Sequence, residues 1–352
     1  MQKSELRVRR AGQAKVVGRL APSPTGRMHL GNIYACLAAW LGVRSQGSGG
    51  VLRLRIEDID TPRVVKDADR WIMDDLAWLG LDWDGEVVYQ SRRADAYSQA
   101  LKLLESQQLI GGQPLVYPCF CSRADIRAAS APNEGDGFIV YPGTCRGLSH
   151  QTIAERLARG QRHSQRIAVP DQSDKSDAIC RFDDLVFGPQ CFNLPRQVGD
   201  VVVRRSDGLV SYQLAVTVDD LAMGVNQIVR GRDLLRSTAI QMWIRHHLRP
   251  QAPDAQYVHL PLIVGVDGRR MSKRFGSPDL GSLRRDGWSP RQVLGVCGWL
   301  LGILDRPRPA SAQELLDGFT RNTLAADRRD RQLDLSGLNV SDAKPNLQAL
   351  RP

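Results

Sequence analysis

Residues 18–32 read GRLAPSPTGRMHLGN, an apolar stretch that runs into two prolines and a glycine, then His29, and then a further glycine that opens a second apolar run. This order predicts a buried strand, a tight turn and a helix that begins close to His29. A strand followed by a turn and a helix N-terminus is an anion site, because free backbone N–H groups point outward there. Taken alone, the stretch favours the simpler interpretation, a structural turn in which His29 caps the helix.

The composition is that of a globular protein, with 352 residues, 42% hydrophobic and 24% charged. This length suggests two or more domains. No uninterrupted apolar run of about 18 residues and no secretory signal is found, so we expect a cytoplasmic protein without a membrane span.

The net charge of +10 favours a polyanionic partner, although a merely soluble basic protein is an equal alternative. Seven cysteines in such a chain favour reduced thiols or metal ligands over disulfides.

Strand and helix patterns alternate from residue 15 onward, which predicts an α/β fold with a parallel sheet. One of the helices is expected to be capped by Ser91. The patterns divide the chain into six parts: a basic lead-in (1–14), the first half of the α/β layer (15–116), an insert rich in Cys, Gly and Pro with one short helix (117–180), the second half of the layer (181–248), a basic loop with a strong helix (249–304) and a weakly ordered tail (305–352).

The basic loop reads RRMSKRFG at 269–276, with four Lys or Arg in eight residues. A basic loop beside a glycine can close over a polyphosphate and neutralise the charge that develops in phosphoryl transfer. The alternative is a solvated surface loop, which is the usual role of a charge run.

Together the two segments resemble the signature motifs of class I aminoacyl-tRNA synthetases, HLGN the HIGH motif and RMSKR the KMSKS motif. The strings RLAPSPTGRMHLGN, LRLRIEDID, SYQLAVTVDD and HLPLIVGVDGRRMSKRFG resemble the glutamyl branch, in the right order, between about residues 15 and 303. Asn32 replaces the second histidine of the first motif, and Arg270 the usual lysine of the second. The resemblance implies a Rossmann-type catalytic domain with a zinc-bearing insert and a short helical C-terminal part. It also implies activation of L-glutamate by ATP with Mg²⁺.

The same resemblance implies the site residues. It maps the glutamate contacts onto Arg19, Ser23, Glu57, Tyr212 and Arg230. It maps the ATP contacts onto His29, Gly31 and Lys273, of which His29 and Lys273 are the catalytic residues. These residue types suit the substrate, because an ammonium needs a carboxylate and a side-chain carboxylate needs a guanidinium and a hydroxyl. Which arginine takes which carboxylate stays open, and a structural salt bridge from Arg19 or Arg230 to Glu57 or Asp58 is the alternative.

The insert holds Cys119, Cys121 and Cys145, a density of thiols that suits Zn²⁺ in a reducing compartment. The resemblance gives Tyr141 as the fourth ligand, whereas by chemistry alone His150 or Asp136 would rival it. Buried inert thiols are the other interpretation. The remaining cysteines stand in apolar runs and are predicted to lie in the core: Cys36, Cys180, Cys191 and Cys297.

About 78 residues follow Arg274, where a complete glutamyl-tRNA synthetase carries a long helical anticodon-binding region. The resemblance is therefore to a branch that consists of the catalytic core alone. That branch attaches glutamate to the queuosine base in the anticodon of tRNA(Asp) rather than to the 3′ end. Two alternatives stay open: a truncated synthetase that charges the 3′ adenosine, and a synthetase-like protein that binds RNA or a regulator without catalysis. The intact HLGN and RMSKR segments argue against the second.

Overall fold

The computed structural model describes residues 15–129, 138–171, 178–265, 268 and 278–334. The helices in these residues are α1 Leu30–Arg44, α2 Ala68–Leu79, α3 Ala94–Glu105, α4 Arg123–Ala129, α5 His150–Ala158, α6 Tyr212–Ala222, α7 Leu235–Leu248, α8 Leu280–Arg285, α9 Pro290–Leu300, α10 Ala312–Asp317 and α11 Arg321–Ala325. The strands are β1 Val16–Leu20, β2 Gly50–Ile56, β3 Val88–Tyr89, β4 Val116–Cys119, β5 Ser164–Ile167, β6 Ile179–Asp184, β7 Gly188–Asn193, β8 Val201–Arg204, β9 Gln227–Gly231, β10 Gln256–Leu260, β11 Ile263–Val264 and β12 Arg331–Gln332.

Two sheets form the central layer. One has the order β1-β2-β3 and is parallel throughout. The other has the order β7-β6-β10-β9, in which β10 runs parallel to both neighbours and β7 is an antiparallel edge strand. The sheets meet at β1, where the backbone amide of Asn226 donates to the carbonyl of Val17 at 3.0 Å. Parallel strands connected through helices confirm the predicted α/β layer.

The helix that follows β1 is the centre of the main core. Eleven of its fifteen residues are buried, and α9 packs against it. The predicted cap of α3 is wrong, because that helix begins at Ala94 after Arg93. Ser91 instead donates its hydroxyl to Asp58 at 2.6 Å. None of the helices in the described residues combines the length and hydrophobicity that a membrane crossing requires.

The insert forms a small unit of its own beside this layer. Its sheet is antiparallel, with the order β4-β5-β8, so that β8 joins the insert although it falls in the predicted second half of the layer. The short helix predicted in the Cys-, Gly- and Pro-rich stretch is α4, and α5 follows that stretch. A separate apolar cluster fills it, formed by Tyr117, Cys119, Tyr141, Cys145 and Ala168.

The prediction of a weakly ordered tail is wrong for residues 305–334, while 335–352 lie outside the described residues. This segment forms α10, α11 and β12, and β12 pairs in parallel with β11. Leu315, Phe319, Leu324 and Leu333 are buried in the main core. Burial of these scattered apolar residues against α1 and α9 orders the segment despite its many charges and prolines.

Candidate active site

A cleft of about 750 Å³ opens at the carboxyl ends of β1, β9 and β10, where ligands bind in open α/β sheets. Seven of the predicted substrate residues line it: Arg19, Ser23, His29, Gly31, Glu57, Tyr212 and Arg230. The eighth, Lys273, lies outside the described residues together with the whole basic loop, 269–276. The structure therefore brings together residues that are separated by more than two hundred positions in the sequence.

His29 is the N-cap of α1, which confirms the simpler interpretation of this residue, and it also lines the cleft. Its Nδ1 accepts the backbone N–H of Gly31 at 3.1 Å, and the side chain of Asn32 accepts the backbone N–H of His29. A neutral ring that accepts at Nδ1 carries its proton on Nε2. Residue 31 must be small, because a Cβ there would lie 3.0 Å from Cε1 of His29.

The turn before His29 is fixed by ion pairs. Arg27 binds the buried carboxylate of Asp75, which also accepts the backbone N–H of Met28 at 3.4 Å. The backbone N–H of Leu280 donates to the Met28 carbonyl at 2.7 Å. The chain that returns from the basic loop is therefore attached directly to the turn that carries His29.

One side of the cleft is rich in carboxylates. Arg55 is fully buried and donates to Asp220 at 2.6 Å and to Oε1 of Glu57 at 2.9 Å, and its Nε lies 3.9 Å from Asp219. Arg19 lies 3.5 Å from Asp220 and donates to the carbonyl of Val229. Each of the two arginines is thus in contact with at least one carboxylate.

The pKa values of this side reflect burial and close charge pairing. Burial opposes the charge of Arg55, but Asp220, Glu57 and Asp219 outweigh it and raise its pKa. Burial raises the pKa of Glu57, although Arg55 and Arg19 act against the shift. The pKa of Asp220 is lowered, because Arg55 and Arg19 together outweigh its burial.

The opposite side of the cleft holds Arg230 among neutral acceptors. Its Nε donates to Nε2 of His259 at 3.1 Å, its Nη1 to Gln241 at 2.8 Å and its Nη2 to Thr238 at 2.7 Å. His259 in turn is bonded through Nδ1 to Asp184 at 2.7 Å. Among the described residues, no carboxylate lies within ion-pair distance of Arg230, so its positive charge is not paired.

Tyr212 stands between these two sides. It is the first residue of α6, which Ser211 caps, and part of its ring is exposed in the cleft. Burial of its hydroxyl raises the pKa, and so does the charge of Glu57, while Arg230 lowers it. The tyrosine therefore interacts with both a cleft carboxylate and the unpaired arginine.

The alternative salt bridges considered for the two predicted arginines do not form. Arg55, which sequence reasoning missed, holds Glu57. Asp58 accepts from Ser91. Two of the missed residues, Arg55 and His259, stand inside the motif strings LRLRIEDID and HLPLIVG, which was the available signal.

The insert brings the three predicted thiols together. The sulfur atoms of Cys119, Cys121 and Cys145 all lie within 4.8 Å of one another, and those of Cys121 and Cys145 are 3.5 Å apart. The hydroxyl of Tyr141 lies 3.4 Å from Cys119 and 3.6 Å from Cys121. Tetrahedral Zn²⁺ with sulfur ligands at 2.3 Å separates those ligands by about 3.8 Å, so the cluster fits this ion.

The surroundings of Cys119 favour its thiolate, whereas burial and the neighbouring thiols raise the pKa of Cys121 to about 11. The guanidinium of Arg166 lies 3.8 Å from the ring centre of Tyr141. Burial would raise the pKa of Cys119, but bonds from Tyr141 and Arg166 bring it below its usual value. Of the rival fourth ligands, His150 is exposed on α5 and is not part of the cluster, and Asp136 lies outside the described residues.

Three of the other cysteines are buried as predicted: Cys36, Cys180 and Cys297. The prediction is wrong for Cys191, which is exposed because β7 is an edge strand.

Comparisons with known proteins agree with this fold. The family of class I tRNA synthetases for Glu and Gln matches residues 15–309 through its catalytic domain. A glutamate–tRNA synthetase structure from Elizabethkingia anophelis superposes with a TM-score of 0.73 at 25% identity and covers 92% of this chain and 68% of that one. The chain thus belongs to the class I tRNA synthetases for Glu and Gln, which are ligases, and residues 15–309 form its catalytic domain.

Curated relatives define the branch. A glutamyl-Q tRNA(Asp) synthetase of Nitratidesulfovibrio vulgaris is 40% identical over 317 residues, which is 87% of this chain and 93% of the relative. One of Geobacter sulfurreducens is 46% identical over 274 residues, 77% of this chain and 80% of the relative. The chain belongs to the glutamyl-Q tRNA(Asp) synthetase family.

Proposed function

We propose that this protein activates L-glutamate with ATP and transfers the glutamyl group to the queuosine base of tRNA(Asp). The observation that carries the first step is the buried guanidinium of Arg230, which has no carboxylate within ion-pair distance among the described residues and lines the same cleft as Glu57. A buried cation of this kind suits an anionic ligand, and the adjacent carboxylate suits an ammonium. An amino acid with a carboxylate side chain presents both groups.

In this proposal Arg230 and Tyr212 bind the side-chain carboxylate of glutamate, and Glu57 binds its ammonium. Arg55 occupies only Oε1 of Glu57, which leaves Oε2 to receive an ammonium proton. Arg19 and Ser23 contribute further contacts at the end of β1. Glutamate is then held by its charges at two points, with the α-carboxylate left to react.

The reaction itself needs no protein nucleophile. An oxygen of the α-carboxylate attacks the α-phosphorus of ATP, the bond to the β-phosphate oxygen breaks, and pyrophosphate leaves with the bonding electrons. Catalysis then consists of positioning and charge stabilisation. His29 offers an N–H at the helix N-terminus, Gly31 lets phosphate approach the backbone, and Lys273 neutralises the leaving pyrophosphate. Mg²⁺ accompanies ATP as part of the substrate.

In the second step a hydroxyl oxygen of the queuosine cyclopentenediol attacks the acyl carbon of glutamyl-adenylate. The acyl–phosphate bond breaks, AMP leaves, and the hydroxyl proton passes to the phosphate. The name shared by the relatives supports tRNA(Asp) as the acceptor. The net charge of +10 supports binding of a polyanion of this kind.

The insert is proposed to hold one Zn²⁺ through Cys119, Cys121 and Cys145, with Tyr141 as the fourth ligand. A fully coordinated ion of this type is structural, because it has no open position for substrate. Its role would be to fix the small antiparallel sheet, whose own apolar cluster has only five buried members.

The acceptor is tested with labelled glutamate, ATP and three forms of tRNA(Asp). One contains queuosine, one contains the unmodified guanosine, and one contains queuosine but lacks the 3′-terminal adenosine. We expect the first and third to be labelled and the second to stay unlabelled. Labelling that requires the 3′ adenosine and ignores queuosine would contradict the proposal and favour a truncated conventional synthetase. Absence of labelling on all three would favour a protein without catalytic activity.

A further inference from the structure

Arg230 has a defined number of free donors. A guanidinium has five N–H groups and no acceptor. Bonds to the described residues use three of them, one on each nitrogen, through His259, Gln241 and Thr238. One N–H on each terminal nitrogen is left, and these two donors are available to the oxygens of a carboxylate.

The bond to His259 fixes the state of the imidazole. Because Arg230 can only donate, Nε2 of His259 must be an acceptor, and the proton of the neutral ring is on Nδ1. That N–H donates to Oδ2 of Asp184 at 2.7 Å. His259 is fully buried, so the ring has little freedom to rotate.

Asp184 is itself held by donors alone. Its Oδ1 accepts the backbone N–H groups of Val186 and Phe187, at 3.0 and 2.9 Å. Its Oδ2 accepts the backbone N–H of His259 at 3.0 Å as well as the ring N–H. Four donors suit an ionised carboxylate. The imidazole of His259 separates this negative charge from the guanidinium of Arg230.

We propose that Asp184 and His259 are positioning residues that set the amino-acid specificity of the cleft by holding Arg230 oriented but unpaired. A carboxylate in direct contact with Arg230 would orient it equally well, but it would also neutralise the charge that the ligand must meet. A neutral imidazole orients the guanidinium and leaves that charge for the substrate carboxylate. This inference rests on the proposed role of Arg230 in binding glutamate.

The first variant is Asp184→Asn. The side-chain NH₂ of asparagine must face N–H groups in either orientation, because all four partners of Asp184 are donors. If the amide faces the ring, the imidazole proton moves to Nε2, where it opposes the Nε–H of Arg230. We expect the KM for glutamate to rise about 10–100-fold, while kcat and the KM for ATP stay within a few-fold of wild type.

A second pair of variants, at His259, tests the same proposal without relying on the Asp184→Asn variant to fold. In His259→Gln the amide oxygen can accept from Arg230 and the amide nitrogen can donate to Asp184, whereas His259→Leu offers neither group. We expect the KM for glutamate to follow the order wild type, Gln variant, Leu variant, and the preference for glutamate over glutamine to fall in the same order. A merely structural role would not separate the Gln and Leu variants in KM at equal kcat.

Asp200→Asn is the matched control. Asp200 is also a buried carboxylate that accepts a hydroxyl and a backbone N–H, from Tyr117 and Val169, but it directly precedes β8, the strand that joins the sheet of the insert. The KM of the Asp200→Asn variant for glutamate should equal that of wild type. If wild type activates glutamate and the folded Asp184 and His259 variants keep its KM, the inference is wrong and the proposed function stands. If wild type does not activate glutamate, both are wrong.

Discussion

Arg55 and Arg230 are both buried beside the same cleft, yet their surroundings are opposite in charge. Arg55 contacts three carboxylates, whereas Arg230 donates to an imidazole, an amide and a hydroxyl. A buried cation without a counter-ion is costly, so a fold that keeps one has a ligand for it. The comparison teaches that Arg55 supports the fold and Arg230 supports binding, although both are arginines at the end of sheet strands.

The thiol cluster in the insert is the reverse of Arg230: it is a group of ligands that bind a cation, whereas Arg230 is a cation that binds an anion. We predict one zinc ion per chain in protein purified without chelator, and none in the Cys119→Ser, Cys121→Ser double variant. This is the largest expected effect, because structural zinc binds with about 10–16 kcal/mol. Metal analysis of the purified protein measures it. Cys191→Ser, at an exposed thiol, is the control and should keep the ion; zinc that survives the double substitution would mean that other groups hold it.

Loss of Arg55 should damage the fold. Arg55→Met leaves Asp220 and Glu57 buried without their main partner, and we expect the free energy of unfolding to fall by about 3–5 kcal/mol. Urea denaturation measures the change. Arg53→Met is the matched control on the same strand, where the side chain donates only to the Asp84 carbonyl, and it should cost about 1 kcal/mol. Equal losses in the two variants would remove the structural role assigned to Arg55.

Loss of Arg230 should damage binding instead. Arg230→Met removes a cation whose described partners are all neutral, so we expect a smaller loss of unfolding free energy than in Arg55→Met. The KM for glutamate should rise by about 10–150-fold, which corresponds to the 1.5–3 kcal/mol of hydrogen bonds to a charged group. Steady-state kinetics at saturating ATP give the number. A variant that unfolds as readily as Arg55→Met but binds glutamate normally would reverse the comparison.

The smallest expected effect is on how stability depends on pH, which differs between His259, beside Arg230, and Asp220, beside Arg55. Burial lowers the pKa of His259 below 6.5, despite its bond to Asp184, and the nearby Arg230 and Arg19 add to the shift. The unfolded chain therefore takes up this proton first, and stability should fall as the pH falls below about 6.5. The pKa of Asp220 is lowered from 3.8, so its contribution is present above that value and is lost only at more acid pH.

Thermal or urea unfolding from pH 7.5 to 4.5 checks this assignment. His247 is partly buried, which lowers its pKa to about 4, and it contributes a slope of the same sign. The difference between wild type and His259→Gln isolates the part that belongs to His259. Identical pH slopes for the two proteins would show that His259 does not titrate differently in the folded state.

The sequence predicted those features that rest on local patterns. The strand before the first motif, the helix after it and six of the seven described cleft residues lie in the quoted strings. The seventh, Arg230, lies outside all of them and came from the resemblance to the family. The order of residues 305–334 could not be read, because apolar residues such as Leu315 and Phe319 are few in this segment and their role follows only from burial in the main core. The neutral environment of Arg230 was equally hidden, since His259, Thr238 and Asp184 surround it only after β6, β10 and α7 pack together.

The central claim is that the unpaired charge of Arg230 selects glutamate, and amino-acid-dependent ATP–pyrophosphate exchange tests it most directly. Wild type should show a kcat/KM for glutamate about 10²-fold or more above that for glutamine, because an amide cannot neutralise the buried guanidinium. Arg230→Met should lose most of this ratio, while Arg53→Met should keep it. Exchange that is equally fast with glutamine, or a ratio unchanged in Arg230→Met, would contradict the account.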